Sequence, residues 1–210
     1  MMSQIEPVPA CAEQIFGERL PLARTYAQHL ATTGVEWGLI GPRELDKLWT
    51  RHILNCAVVA PLIHDDDVVG DIGSGAGLPG LVLALAQPQA SFVLIEAMER
   101  RVDWLRMVVD DLGLDNVRIV RGRVEELVDE EVFTVVTARA VKALNVLVEW
   151  AAPVLGPNGR LLALKGQKAQ EEIDKAKKVL KRHKMTPPVI KQMGAEFLEI
   201  PTRVVEATRR

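Results

Sequence analysis

The residues best suited to chemistry lie in one string, Asp71-Ile72-Gly73-Ser74-Gly75-Ala76-Gly77-Leu78-Pro79-Gly80. Three alternate glycines let the backbone pass close to a ligand, because no Cβ intervenes. The helix that the string opens would add unpaired N–H groups facing the same space. Two ligand patterns overlap here. Gly75-x-Gly77-x-x-Gly80, with Glu96 at the distance of a ribose-binding acid, fits a dinucleotide turn. Gly73-x-Gly75-x-Gly77 preceded by Asp71 fits a turn that holds S-adenosylmethionine. The glycines begin directly after a strand, which suits the second pattern. A nicotinamide dehydrogenase would also need a substrate domain, and only about 60 residues precede the sheet, with none left after it.

Other candidates follow from the same turn. A carboxylate at Glu96, where the second strand ends, can accept both ribose hydroxyls; otherwise it is a solvated strand-end acid. Gly122-Arg123-Val124-Glu125 ends the third strand, where an adenine edge would need hydrogen bonds; seen alone it is an ordinary loop. Arg139 and Lys165 end the fourth and fifth strands, where a parallel sheet presents its site. Their bland readings are a salt bridge for Arg139 and a surface lysine for Lys165. Residues 165–191 hold nine Lys or Arg against three acids on a chain of net charge −2. That tract is either a contact for a polyanion or a solvated helix face.

Positioning these groups requires strands alternating with helices. Strands are expected at 68–72, 91–95, 117–120, 133–137 and 160–164, with helices at 78–86, 100–112, 141–155 and 168–184 between or after them. Two last strands, at 189–190 and 203–207, have no helix between them and pair antiparallel. Two amphipathic helices come first. One carries Ile15, Phe16, Leu20, Ala23, Ala27 and Leu30 and stops at Gly34; the other opens at Pro42, carries Leu45, Leu48, Trp49, His52, Ile53, Cys56 and Val59, and ends at Pro61. His52 in that stripe reads as a core histidine, and Arg51, one position off it, reaches toward solvent or a phosphate. Trp49, Trp104 and Trp150 read as core, and Trp37 as a loop residue, the alternative for it being a stack on a base. The expected fold is α/β: a Rossmann-like class I S-adenosylmethionine-dependent methyltransferase, with a mostly parallel seven-stranded sheet, a C-terminal antiparallel hairpin and preceding N-terminal helices. The division is a helical extension over 1–64 and a methyltransferase domain over 65–210.

Composition sets the outer bounds. With 210 residues, 48% hydrophobic and 26% charged, the chain is neither disordered nor fibrous. No apolar run reaches the roughly 18 residues a membrane span needs. Residues 1–10 have no basic start, so no leader is expected and the cytoplasm is the default address. Cys11 and Cys56 alone build neither a disulfide framework nor a zinc site, and no metal is expected.

With those residues placed, the chain resembles the bacterial small-subunit ribosomal RNA guanine-N7 methyltransferases, the glucose-inhibited division protein B family. The strings are Trp49-x-Arg51-His52-Ile53-Leu54, the glycine turn through Leu78-Pro79-Gly80, Arg123-Val124-Glu125-Glu126, Ala138-Arg139-Ala140 with Leu144, and Ala163-Leu164-Lys165-Gly166. The resemblance implies methylation of N7 of guanine 527 in 16S rRNA, with the RNA or the small subunit as partner. It implies S-adenosylmethionine held against Gly73, Leu78, Val124, Glu125 and Arg139, which join Asp71, Gly75, Gly77 and Glu96 from the reading of the turn itself as expected cofactor contacts. It further implies that Arg123, Arg139 and Lys165 serve binding or transfer. Guanine N7 has an in-plane lone pair and no hydrogen, so the reaction needs no general base. The same fold also serves small-molecule methyltransferases, which would favour an apolar lid over a basic surface, or a non-enzymatic scaffold, which would not need the glycines.

Overall fold

The computed structural model describes residues 5–210. Met1–Gln4, part of the stretch read for a leader, lie outside the described residues.

Seven strands form one sheet in the order β3-β2-β1-β4-β5-β7-β6. They are β1 (Val68–Ile72), β2 (Ser91–Glu96), β3 (Val117–Arg121), β4 (Phe133–Arg139), β5 (Leu155–Lys165), β6 (Val189–Met193) and β7 (Thr202–Thr208). The first five pair parallel, and β7 runs antiparallel between β5 and β6. The crossover helices are α4 (Gly80–Ala86), α5 (Glu99–Leu112), α6 (Leu144–Val154) and α7 (Ala169–Arg182), with a 3₁₀ turn at Val124–Leu127. Five parallel strands gather the loops that follow them at one edge, which is where such sheets place their sites. Asn158-Gly159 does not precede the fifth strand as expected. It lies inside β5 as an irregularity in the pairing with β4, with Asn158 at φ 62°.

The two N-terminal helices are more broken than their periodicity predicts. α1 (Cys11–Phe16) stops at Gly17, whose φ of 49° ends the helix, and α2 (Leu20–His29) restarts at Pro21. A wide π turn at Leu30–Gly34 follows. The second predicted helix is a 3₁₀ turn (Pro42–Lys47), a π segment (Leu48–Leu54) and a short α3 (Asn55–Ala57). The expected stripes are buried nonetheless: Phe16, Ala23, Ala27, Leu30, Leu48, Trp49, Ile53 and Cys56 all lie in the core.

Side chains alternate across the strands and divide the core in two. Val69, Phe92, Leu94, Val135, Leu162 and Leu164 face the N-terminal helices, α4 and α5. Ile72, Val93, Ile95, Val136, Leu161 and Ala163 face α6 and α7. The division at residue 64 separates helices from sheet along the chain, but in space the extension shares one continuous apolar cluster with α4, α5 and the sheet. A chain beginning at residue 65 is therefore expected to lose cooperative unfolding and to bind a hydrophobic dye, since the faces of α4 and α5 would meet water. Urea melts of the full and shortened chains check this, and an unchanged cooperative transition would show that the sheet stands alone.

Candidate functional site

The glycine loop between β1 and α4 is built from below by Asp71. Its side chain is fully buried on the α4 side of the sheet, and Oδ2 accepts the Gly80 N–H at 3.0 Å. A Cβ on Gly80 would lie 2.3 Å from Leu94 and 2.6 Å from Asp71 Oδ2, so only glycine lets the helix sit this close to the strands. Gly77, in the loop at φ 84°, is crowded by Leu81 of α4. These two glycines serve packing. Gly73 (φ 68°) and Gly75 (φ 57°) instead border a cavity of about 680 Å³. Asp71 and Gly77, expected with them to hold the ligand, are not among the residues that line this cavity. Asp71 and Gly77 lie behind the cavity and shape the loop that lines it. The amides of the loop and of the helix start are likewise committed: Gly77 and Leu78 N–H donate to Ser74 O at 2.7 and 3.1 Å, Gly80 N–H to Asp71, and Leu81 N–H to Gly77 O at 2.8 Å.

Glu96 sits at the cavity wall, buried, where β2 ends. Its two oxygens accept the N–H groups of Gly75 (3.0 Å) and Met98 (2.9 Å), and Arg101 stands 3.6 Å away. Gly122, Arg123, Val124 and Glu125 form a further side, together with Leu78. Val124 is buried, while Arg123 and Glu125 are exposed. Ile72, Ile95, Val141 and Trp150 complete apolar walls. The volume suits a small-molecule site. Open backbone at Gly75, a carboxylate at Glu96 and apolar walls beside backbone amides fit an adenosyl group and its amino-acid tail. Trp150 is half-buried at the cavity rather than core, which corrects the sequence reading. Leu147, Val148 and Ala151 define the buried face of α6, and Trp150 falls at its margin. Trp49 and Trp104 are core as expected, and Trp37 lies beneath the Arg100 guanidinium, 5.7 Å from its ring centre, rather than open to a base.

A second, more polar cavity of about 1150 Å³ adjoins the first. Residues 139–142 line both. Arg139 and Lys165 hold this shared wall from opposite faces of the sheet, because Arg139 is paired with Leu164 and Lys165 is one residue further on. Arg139 points into the N-terminal layer. It donates to Arg51 O (3.1 Å), His52 O (3.3 Å), His52 Nδ1 (3.1 Å) and Cys56 Sγ (3.2 Å). The expected alternative, an ion pair, is absent among the described residues; the guanidinium binds carbonyls of the π segment instead. Lys165 points the other way, only 10% exposed. Its Nζ donates to Lys142 O at 2.6 Å and pairs with Glu172 at 2.9 Å, and Glu172 also accepts the Leu144 N–H. Between them Ala140 is held at φ 56°, a left-handed conformation that costs a non-glycine residue of order 1–2 kcal/mol. Lys142, exposed on this wall, was not singled out from sequence; it lies in a string with no periodicity to mark it.

Apart from Lys165, no cation of the basic tract lines either cavity. α7 starts beside Lys165 and leads away for 14 residues, about 20 Å. Lys177, Arg182 and Lys191 pair with Asp174, Glu149 and Glu206. Among the described residues there is no cluster of His, Cys, Asp and Glu that could hold a metal ion, and no helix long and apolar enough to cross a membrane.

A parallel sheet closed by a reversed strand, with a glycine loop after β1 and an acid after β2, defines a class I methyltransferase fold. Solved structures agree in fold: an rRNA methylase of Streptococcus thermophilus (TM-score 0.52, 17% identity, 74% of this chain and 94% of that one) and the M. jannaschii TYW2 protein in complex with AdoMet (TM-score 0.58, 16% identity, 77% and 76%). The family profile described as "rRNA small subunit methyltransferase G" matches residues 19–200. Proteins named ribosomal RNA small subunit methyltransferase G are 54% identical in Renibacterium salmoninarum, over 98% of this chain and 96% of theirs, and 52% identical in Leifsonia xyli, over the whole of both. The chain belongs to the small-subunit rRNA methyltransferase G family.

Asp71 makes the loop sensitive to pH. Burial, reinforced by nearby Glu96, pushes its carboxyl up from 3.8 to about 7. The folded state then holds this proton more tightly than the unfolded chain, so its contribution to stability is full below pH 3.8 and is lost as pH rises through about 7. The full shift is worth about 4 kcal/mol. Asp71→Asn keeps an acceptor for Gly80 N–H and is expected to flatten the loss between pH 5 and 8. Urea midpoints across that range measure it, and an unaltered pH slope would assign the proton elsewhere.

Proposed function

We propose that this chain transfers a methyl group from S-adenosylmethionine to N7 of a guanine, guanine 527, in the 16S rRNA of the small ribosomal subunit. The observation that carries this reading is the wall at residues 139–142, shared by a mainly apolar cleft and a larger, more polar one. Two ligands seated on either side of that wall meet at its edge. The relatives' name, small-subunit rRNA methyltransferase, and the AdoMet bound by a protein of the same fold support the choice of ligands.

Glu96, the loop at Gly73 and Gly75, Leu78 and the Val124-Glu125 turn would hold the cofactor, with Asp71 and Gly77 fixing the loop from behind. S-adenosylmethionine, when bound, supplies an electrophilic methyl group on a sulfonium. The chain's own task is orientation. N7 attacks with its lone pair, no proton leaves, and the fixed wall sets the angle between the two cavities; well-oriented groups can remove several kcal/mol of a barrier. Arg139 and Lys165 act by fixing that wall, their polar hydrogens being largely committed to it. Arg123 and Lys142, both exposed, are free to meet O6 or phosphate. In this reading residues 65–210 carry the transfer and residues 1–64 wall the RNA side, where Thr50 and Arg51 line the second cavity. An enzyme that methylates small-subunit rRNA would work in the cytoplasm.

Two outcomes check it. A 16S fragment with 7-deazaguanine at the target position should accept no methyl group, measured by mass spectrometry; transfer at full rate would identify another atom. Lys142→Ala should flatten the log–log salt dependence of RNA binding by roughly 0.7–0.9, while Lys178→Ala with Lys181→Ala should not. The reverse pattern would return RNA contact to the basic tract.

A further inference from the structure

Arg139 can only donate hydrogen bonds. Its Nη2 lies 3.1 Å from Nδ1 of His52, so that nitrogen must present a lone pair. The proton of neutral His52 is then on Nε2, which lies 3.0 Å from Glu44 Oε2, an acceptor. Both ring nitrogens are satisfied in one tautomer only, and in no other charge state, because imidazolium would turn an N–H against the guanidinium. The ring is 12% exposed and lines the first cavity. We propose that His52, fixed as the Nε2–H tautomer by Glu44, is a positioning residue that orients Arg139 and through it the wall between the two cavities. This inference rests on the methyl-transfer reading for its consequence, not for its geometry.

The surroundings hold the ring neutral. Burial and the Arg139 guanidinium push the His52 proton affinity below its ordinary range, and Arg51 adds to this, while Glu44 opposes. No other titratable side chain is in hydrogen-bonding contact with the ring among the described residues. Acid should therefore act on transfer through this ring: as pH falls, His52 gains a proton, Nδ1 no longer accepts, and Arg139 loses one of its four side-chain contacts.

Two substitutions separate the acceptor from the packing. Asn in place of His52 can put an amide oxygen near the Nδ1 position; Leu fills a similar space with no acceptor. His52→Asn is expected to keep kcat within about threefold, whereas His52→Leu loses about tenfold or more with KM for the cofactor little changed. Measured in the Asp71→Asn background, where the loop carboxyl no longer titrates, the acid limb of the kcat profile should vanish when His52→Asn is added. Equal losses in both variants, or an acid limb that persists when His52→Asn is added to that background, would overturn the proposal. Nitrogen-15 imidazole spectra of the unaltered protein give a readout independent of activity: at pH 7.5 Nδ1 should be bare and Nε2 protonated. A proton on Nδ1 would also overturn it. An unaltered protein that methylates no 16S rRNA would sink the reading of function, while the spectrum would still decide the tautomer.

Discussion

The turn that follows β4 carries a constraint on which both cavities depend. Ala140 is held in a left-handed conformation that its side chain disfavours, and it stays there because its neighbours are fixed on both sides. Arg139 ties the turn to the carbonyls of Arg51 and His52 in the N-terminal layer. Lys165 ties Lys142 to the layer of α6 and α7, and Glu172 completes that tie by taking both the ammonium and the first amide of α6. The strain is small beside these contacts, each a charge-assisted or part-buried hydrogen bond worth roughly 1–3 kcal/mol. A wall stabilised from two layers cannot shift without disturbing both.

The glycine loop follows a related logic with a different material. Its shape comes from close approach rather than from cations. Gly80 against Leu94 and Asp71 brings α4 onto the sheet, the Asp71 carboxylate accepts the helix's first amide, and the loop above borders the cavity at Gly73, beside Val141, and at Gly75, which has open space before it. Glu96 then reaches across to Gly75 from β2. The buried acid costs stability when ionised, so the loop trades some robustness at high pH for a defined shape.

Charge on this protein is spread by the fold rather than concentrated by the sequence. The lysine-rich helix shows its apolar positions Ala169, Ile173, Ala176 and Leu180 to the core and carries its cations outward and away from the cavities. The cations at the site come from strand ends and the N-terminal segment instead, and several are committed to backbone carbonyls. Such cations contribute field and rigidity more than free hydrogen bonds.

Local pattern determined the order of elements. β1 and β2 fall where their apolar runs, the glycine string after the first and the acid that closes the second indicate, and the antiparallel end of the sheet follows from two strands too close for a helix between them. The glycine string and the family strings were equally legible, because each is contiguous and its residue types are needed for local backbone reasons. The rest was decided by contacts between distant parts of the chain. No spacing separates Gly73 and Gly75, which face a cavity, from Gly77 and Gly80, which meet Leu81 and Leu94. Trp150 sits one position off the buried face of its helix, and only the packing of α6 beside Val124 brings it to the cavity. Arg139 and Lys165 end neighbouring strands in similar strings, yet one residue of register sends them to opposite faces, since strand side chains alternate. His52 was read as core from its helical stripe. Its partners, Glu44 eight residues before it and Arg139 87 residues after it, converge only when the N-terminal layer closes on the sheet.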